Sequence, residues 1–224
     1  MPEIKEIAVF RSPLEGKFGV PRQSGLAPSL TGEIHMLPPY NAGEALRGLD
    51  GFGYIWLIWG FSLNPQGESP AKLTVRPPRL GGNRRVGVFA SRSPFRPNGL
   101  GLSSVRVISV KDGIITVSGA DLADGTPIYD IKPYVAYADS HPEARSGFVD
   151  ERRWEPLEVD MPAALADLFT DEELSGLRQV LALDPRPRYH ADESRVYGMP
   201  FAGRDVHFRV DGKKLYILDI KALK

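Results

Sequence analysis

The residues most able to do chemistry are concentrated in one stretch. Positions 69–111 carry nine cations (Lys72, Arg76, Arg79, Arg84, Arg85, Arg92, Arg96, Arg106 and Lys111) and no carboxylate. Seven are arginine, whose planar fork of donors suits phosphate and carboxylate groups. A solvated surface ordinarily mixes signs, so the stretch predicts an anionic ligand or a nucleic acid. The competing reading is that these arginines pair with acidic residues across the fold. Within it, Arg76-Pro77-Pro78-Arg79-Leu80-Gly81-Gly82-Asn83-Arg84 and positions 87–101 combine proline, glycine and arginine. That mixture gives a fixed backbone, close approach and anion donors. Two more irregular segments accompany it. Positions 17–26 are polar, rich in glycine and proline, and non-periodic. Positions 124–134 open with a tight turn and continue as a strand that sets Asp130, Lys132 and Tyr134 on one side at period two. A carboxylate, an ammonium and a ring on one face suit an amino-acid-like or purine ligand, or a solvent face with one salt bridge.

Other chemistries are excluded. With no cysteine, disulfides, thiolate zinc sites, iron–sulfur clusters and a cysteine nucleophile are ruled out. His35, His141, His190 and His207 are too dispersed in the sequence to form a metal-ligand pair, so no metal is expected. There is no phosphate-binding P-loop, and Gly51-Phe52-Gly53 and Gly99-Leu100-Gly101 both lack the third glycine of a dinucleotide fingerprint. A Gly-x-Ser-x-Gly elbow is also missing.

The elements that must position these residues are mostly strands. The chain has 224 residues, 23 of them glycine and 20 proline, which favours a turn-rich β fold over long helices. Strands are predicted over 4–10, 32–37, 53–61, 85–90, 104–110, 114–118 and 128–135, with Asp112-Gly113 as a hairpin turn. A short helix is predicted near 41–47. Positions 138–160 read as a charged linker and 162–183 as helical, with Thr170-Asp171-Glu172-Glu173 as a capping box. A terminal hairpin spans 205–210 and 214–220. The expected fold is therefore mainly β: a barrel or sandwich domain over 1–145 and a small C-terminal α+β domain over 146–224. No apolar run reaches the length of a membrane span and no signal peptide is visible, so a cytoplasmic protein without membrane attachment is expected. The formal charge is zero, but unevenly spread: positions 112–184 hold 16 acidic and five basic residues.

The irregular segments together resemble the TrmO (TsaA-like) family of tRNA methyltransferases. The motifs are Pro21-Arg22-Gln23, Arg76-Pro77-Pro78-Arg79-Leu80-Gly81-Gly82-Asn83, Ser91-Arg92-Ser93-Pro94-Phe95-Arg96-Pro97-Asn98, Asp124-Gly125-Thr126-Pro127 with Asp130-Ile131-Lys132-Pro133-Tyr134, and Asp184-Pro185-Arg186-Pro187-Arg188-Tyr189. The resemblance covers nearly the whole chain and is weakest over 138–183. It implies a single-sheeted β-barrel that binds S-adenosylmethionine, a homodimer, and methylation of N6 of a threonylcarbamoyl-adenosine 3′ of the anticodon in threonine tRNA.

Carried over by position, the resemblance implies cofactor contacts at Gln23, Ser24, Gly25, Ser62, Leu63, Arg92, Leu102, Asp130, Ile131, Lys132 and Pro133. Ser62-Leu63 stands where relatives carry His-Gln, so those two contacts are expected through the backbone. Asp130 and Tyr134 are the candidates for orienting the amine. Arg76, Arg79, Arg84, Arg85 and Arg96, with Arg186, Arg188, Tyr189, Arg195 and Tyr197, are expected to grip the tRNA anticodon stem-loop. Two other classes remain open: a cofactor-free RNA-binding β module, and a small-molecule methyltransferase on the same barrel.

Overall fold

A computed structural model describes residues 4–63, 73–77, 84–151, 155–186 and 194–223. Six strands close into an antiparallel barrel: β1 (Ala8–Arg11), β2 (Thr31–Met36), β3 (Tyr54–Gly60), β6 (Leu100–Lys111), β7 (Ile114–Ser118) and β8 (Pro127–Pro133), ordered β1-β2-β7-β6-β3-β8. Between β3 and β6 lie β4 (Thr74–Val75) and β5 (Val86–Gly87), a two-stranded pair, and α1 (Gly43–Leu46) precedes β3.

Alternation drives closure. Ile55, Leu57 and Trp59 of β3 point inward, as do Phe10, Ile34, Val105, Ile115, Val117 and Ile128 from the neighbouring strands. Eight strands already enclose only enough space for side chains, and these residues fill six. Gly101 of β6 lies directly across from Trp59, and any side chain there would run into the indole. In β8 a bulge places both Ile128 and Asp130 against consecutive residues of β3, Trp59 and Ile58. Ile128 and Ile131 therefore both serve the core although three apart, and Asp130 and Lys132 face outward.

The C-terminal part is a sheet of β10 (Tyr197–Phe201), β11 (Arg204–Asp211), β12 (Lys214–Ala222) and β9 (Glu158–Asp160), with β9 parallel to β12. It is covered by α4 (Asp171–Ala182), which buries Leu177, Val180 and Leu181. The short helices α2 (Ala136–Asp139) and α3 (Ala163–Ala166) precede it.

Several boundaries differ from expectation. The first strand starts at Ala8 rather than residue 4. Positions 85–90 pair only at Val86–Gly87 before turning into a 3-10 segment, Val88–Ala90. The helix over 162–183 is two helices, because Thr170 is extended and its side chain accepts from the Glu173 amide, so the capping box begins a new helix. The supposed linker takes in the end of α2 and all of β9. The terminal hairpin gains β10, whose Gly198 and Pro200 concealed it; an edge strand tolerates that proline.

Positions 12–30 belong to both parts. Leu14, Ala27 and Leu30 are buried in the C-terminal core. The Asp124 amide, just before β8, donates to the Leu14 carbonyl at 2.9 Å. The Ser29 amide donates to Gln179 Oε1 at 2.7 Å, and Gln179 Nε2 returns a bond to Ser29 Oγ at 2.8 Å. Leu14→Ala should thus lower unfolding stability by about 2–5 kcal/mol, the range for truncating a fully buried leucine. Chemical denaturation checks this, and a loss under about 1 kcal/mol would show the segment is not core.

Candidate functional site

With the barrel filled, a ligand must sit on its ends or outer face. One polar cluster lies where β7 ends. The Gly25 amide donates to the Gly119 carbonyl at 2.7 Å, which fixes the segment 23–25 against the barrel. Gly25 has a φ of 80°, with open space where a side chain would stand. Arg92 reaches this segment from the arginine-rich loop, its Nη1 donating to Gln23 Oε1 at 3.3 Å. Behind them is Asp121. Its carboxylate accepts from the Ser103 hydroxyl and from the amide of Ser24, and the Arg92 charge acts on it. Ser103 in turn accepts from Trp59 Nε1 at 3.0 Å. Burial pushes the Asp121 carboxyl above its ordinary range, while Ser103, the amides and Arg92 pull the other way.

The second group is the outer face of β6, β3 and β8. Leu102, Ile58 and Asp130 form one row across the three strands, and Ser104, Trp56 and Lys132 form the next. Leu102 is 62% exposed. The Tyr134 ring lies 6.1 Å from Tyr54 and 5.6 Å from Trp56. Asp139 of α2 accepts from the Val135 amide at 2.8 Å and from Trp56. The Val135 bond first, then Trp56, holds that carboxyl below its usual range. One Asp130 oxygen accepts from the Ile131 amide at 2.9 Å. Ser62 and exposed Leu63 follow the end of β3, where the Phe61 amide donates to the Gly99 carbonyl at 2.9 Å.

The structure thus brings Gln23, Ser24 and Gly25 to Arg92, and Leu102 into register with Asp130. The two groups adjoin through β6, where outward Leu102 precedes inward Ser103. Tyr134 belongs to the aromatic cluster with Trp56, one row beyond Lys132. Asp121, Ser103 and Trp59 were not anticipated. The only hint is a carboxylate set between apolar Ala120 and Leu122, a pattern shared by many solvent-facing aspartates.

The arginines divide by partner. Arg76 is exposed. Arg84 pairs with Glu151 at 3.4 Å and Arg85 donates to Thr74 at 3.4 Å, both on the surface. Arg79, Arg188 and Tyr189 lie outside the described residues. Three residues expected to contact tRNA have partners within the protein. Arg96 donates to the carbonyls of Val88 (3.1 Å) and Ser91 (2.9 Å) and lies over Phe89, so its guanidinium fastens its own loop. Arg186 makes a two-point bond with Asp184, at 2.8 and 3.0 Å, and is largely buried. The Tyr197 ring is buried, stacked with Phe18 and Phe208, with Arg195 over it. Among the described residues, no three His, Asp or Glu side chains gather as a metal site, and no helix is long and apolar enough to cross a membrane.

Comparison with known proteins agrees with this architecture. The model for the tRNA-methyltransferase O N-terminal domain matches residues 9–140, and the TrmO C-terminal domain model matches 155–223. The tRNA (adenine(37)-N6)-methyltransferase of Escherichia coli K12 is 41% identical over 220 residues, covering 93% of each chain. A Pseudomonas aeruginosa protein, provisionally named S-adenosylmethionine-dependent methyltransferase RcsF, is 40% identical over 225 residues, covering 97% of this chain and 96% of its own. The crystal structure of TrmO from Pseudomonas aeruginosa superposes with a TM-score of 0.80 at 32% identity, over 99% of this chain and 100% of that one. With both domain models matched in order over most of its length, the chain belongs to the TrmO family of tRNA methyltransferases.

Proposed function

We propose that this chain transfers a methyl group from S-adenosylmethionine to N6 of a threonylcarbamoyl-adenosine 3′ of the anticodon in threonine tRNA, acting as a homodimer. The observation that carries the reading is the meeting of Gln23, Ser24 and Arg92 over Asp121, beside the exposed Leu102 row. Cation, carboxylate and apolar surface together match the mixed chemistry of that cofactor. When bound, it supplies a methyl group already activated by the sulfonium.

The protein's own contribution is alignment, which can remove several kcal/mol of barrier. Arg92 would hold the carboxylate end of the cofactor, and Asp130 would accept from its ammonium or ribose. Ser62, Leu63, Leu102, Ile131, Lys132 and Pro133 would line the remainder. Asp130 and Tyr134 would orient the acceptor amine, which needs no strong base because its proton becomes acidic only after attack. Arg76, with Arg84 and Arg85, would meet tRNA phosphates. The barrel domain, to about residue 145, would carry the transfer, and residues 146–224 would help grip the anticodon stem-loop. Exposed Tyr54 and Leu102 on the outer barrel face favour a second copy packing there.

The decisive measurement is mass spectrometry of nucleosides from tRNA incubated with protein and cofactor. One added methyl on the threonylcarbamoyl-adenosine of threonine tRNA is expected. Methylation only of a small molecule, or none despite RNA binding, would favour the two other classes. In calorimetry, Arg92→Ala should weaken the cofactor roughly 10- to 150-fold, the weight of a charged hydrogen bond of about 1.5–3 kcal/mol. An unchanged affinity would remove Arg92 from the site. Binding of tRNA should weaken steeply with salt. Arg76→Ala should reduce the log–log slope by roughly one, whereas Arg96→Ala should lower the melting temperature and leave that slope alone.

A further inference from the structure

We infer that Asp121 is a positioning residue for the cofactor, setting Arg92 and the Ser24 backbone for the carboxylate end of S-adenosylmethionine; this rests on the reading above. Burying a carboxylate is costly unless it is paired and hydrogen-bonded. Two of the three outside partners of Asp121, Ser24 and Arg92, belong to the expected cofactor cradle, and the third, Ser103, adjoins it. The Ser24 amide comes from the 23–25 segment, and the Arg92 charge comes from the arginine-rich loop. The Ser103 hydroxyl comes from the residue after Leu102 in β6. These are three separate pieces of chain, 79 positions apart from Ser24 to Ser103, and no strand pairing joins the two loops to each other. Asp121 is the group that all three share.

The cluster is also anchored on its inner side. Ser103 accepts from Trp59 Nε1, and Trp59 sits in the barrel core against Gly101. The orientation of Asp121 is thus set by the most rigid part of the fold. On the outer side, Arg92 is exposed and donates to the neutral Gln23 side chain at 3.3 Å. An exposed arginine with that restraint alone keeps much of its rotamer freedom, which a ligand must then suppress. A carboxyl fixed behind it by Ser103 narrows the ensemble before the ligand arrives. The role differs from that of a catalytic residue: Asp121 acts through Arg92 and Ser24 and does not need to touch the reacting atoms.

The test compares two ligands on the full-length protein by calorimetry. S-adenosylhomocysteine has the amino-acid tail, and 5′-methylthioadenosine lacks it. Asp121→Asn preserves size and should weaken S-adenosylhomocysteine at least tenfold. It should leave methylthioadenosine within about twofold and the melting temperature within a few degrees. Arg92→Ala should show the same selectivity, and the double variant should lose no more than Arg92→Ala alone, because one acts through the other. Ser103→Ala, which keeps the carboxylate but removes its hydroxyl donor, should give a smaller loss of the same selectivity and covers the case in which Asp121→Asn does not fold. Equal weakening of both ligands, full additivity with Arg92→Ala, or no effect in either variant would overturn the inference. Failure of the wild-type protein to bind either ligand would overturn the functional reading and this inference with it. Tight wild-type binding with an indifferent Asp121→Asn would overturn this inference alone.

Discussion

Filling a six-stranded barrel with its own side chains is the constraint on which the rest of the structure depends. Inward positions are taken by Phe10, Ile34, Leu57, Trp59, Val117 and their neighbours. The barrel therefore works as a solid support, and functional groups are displaced to its loops and outer face. The β8 bulge shows how tightly this is controlled. One extra residue lets Ile128 and Ile131 both reach the core, and the same irregularity fixes Asp130 and Lys132 outside. Without it, alternation would send one of those isoleucines into solvent.

A second consequence concerns how the two parts of the chain are held. The 12–30 segment leaves the barrel after β1, lends Leu14, Ala27 and Leu30 to the C-terminal core, and returns as β2. The same segment carries Gln23, Ser24 and Gly25. A change of packing at α4, through the Ser29–Gln179 pair, would therefore be felt at the Arg92 cluster. A loop pinned at both ends has less freedom left to lose if these residues bind a ligand, as proposed.

Much of this was legible in the sequence, for identifiable reasons. Strands with clean alternation, such as Thr31–Met36 and Ile114–Ser118, announce themselves, as do the Asp112-Gly113 turn and the Thr170 capping box. Elements defined by their partners were not. Glu158–Asp160 is three residues long and exists as a strand because β12 lies beside it; Tyr197–Phe201 hides behind Gly198 and Pro200. Arginine roles were the least legible. Arg96, Arg92 and Arg76 share a residue type and a neighbourhood, yet one bonds carbonyls, one faces a glutamine and a carboxylate, and one is exposed. Spacing encodes none of that, because each partner comes from loop geometry.

The charge balance follows the same logic. A chain with formal charge zero gives no net field to draw in a polyanion. Attraction must come from local segregation, which the sequence has and the fold partly spends. Arg84 meets Glu151 and the charge of Arg92 acts on Asp121, each a link from the basic stretch to the acidic one. The two links differ in kind. Arg84–Glu151 is exposed on both sides, so salt and solvent leave it little energetic weight. Asp121 is fixed against Ser103 and the barrel core, in surroundings where charge is poorly screened. A nearby carboxyl does not cancel Arg92 as a donor; in the proposal above it would narrow the orientations of the guanidinium. The basic stretch thus divides into separate devices: a self-fastened loop at Arg96, an exposed donor to Gln23 at Arg92, and exposed cations such as Arg76.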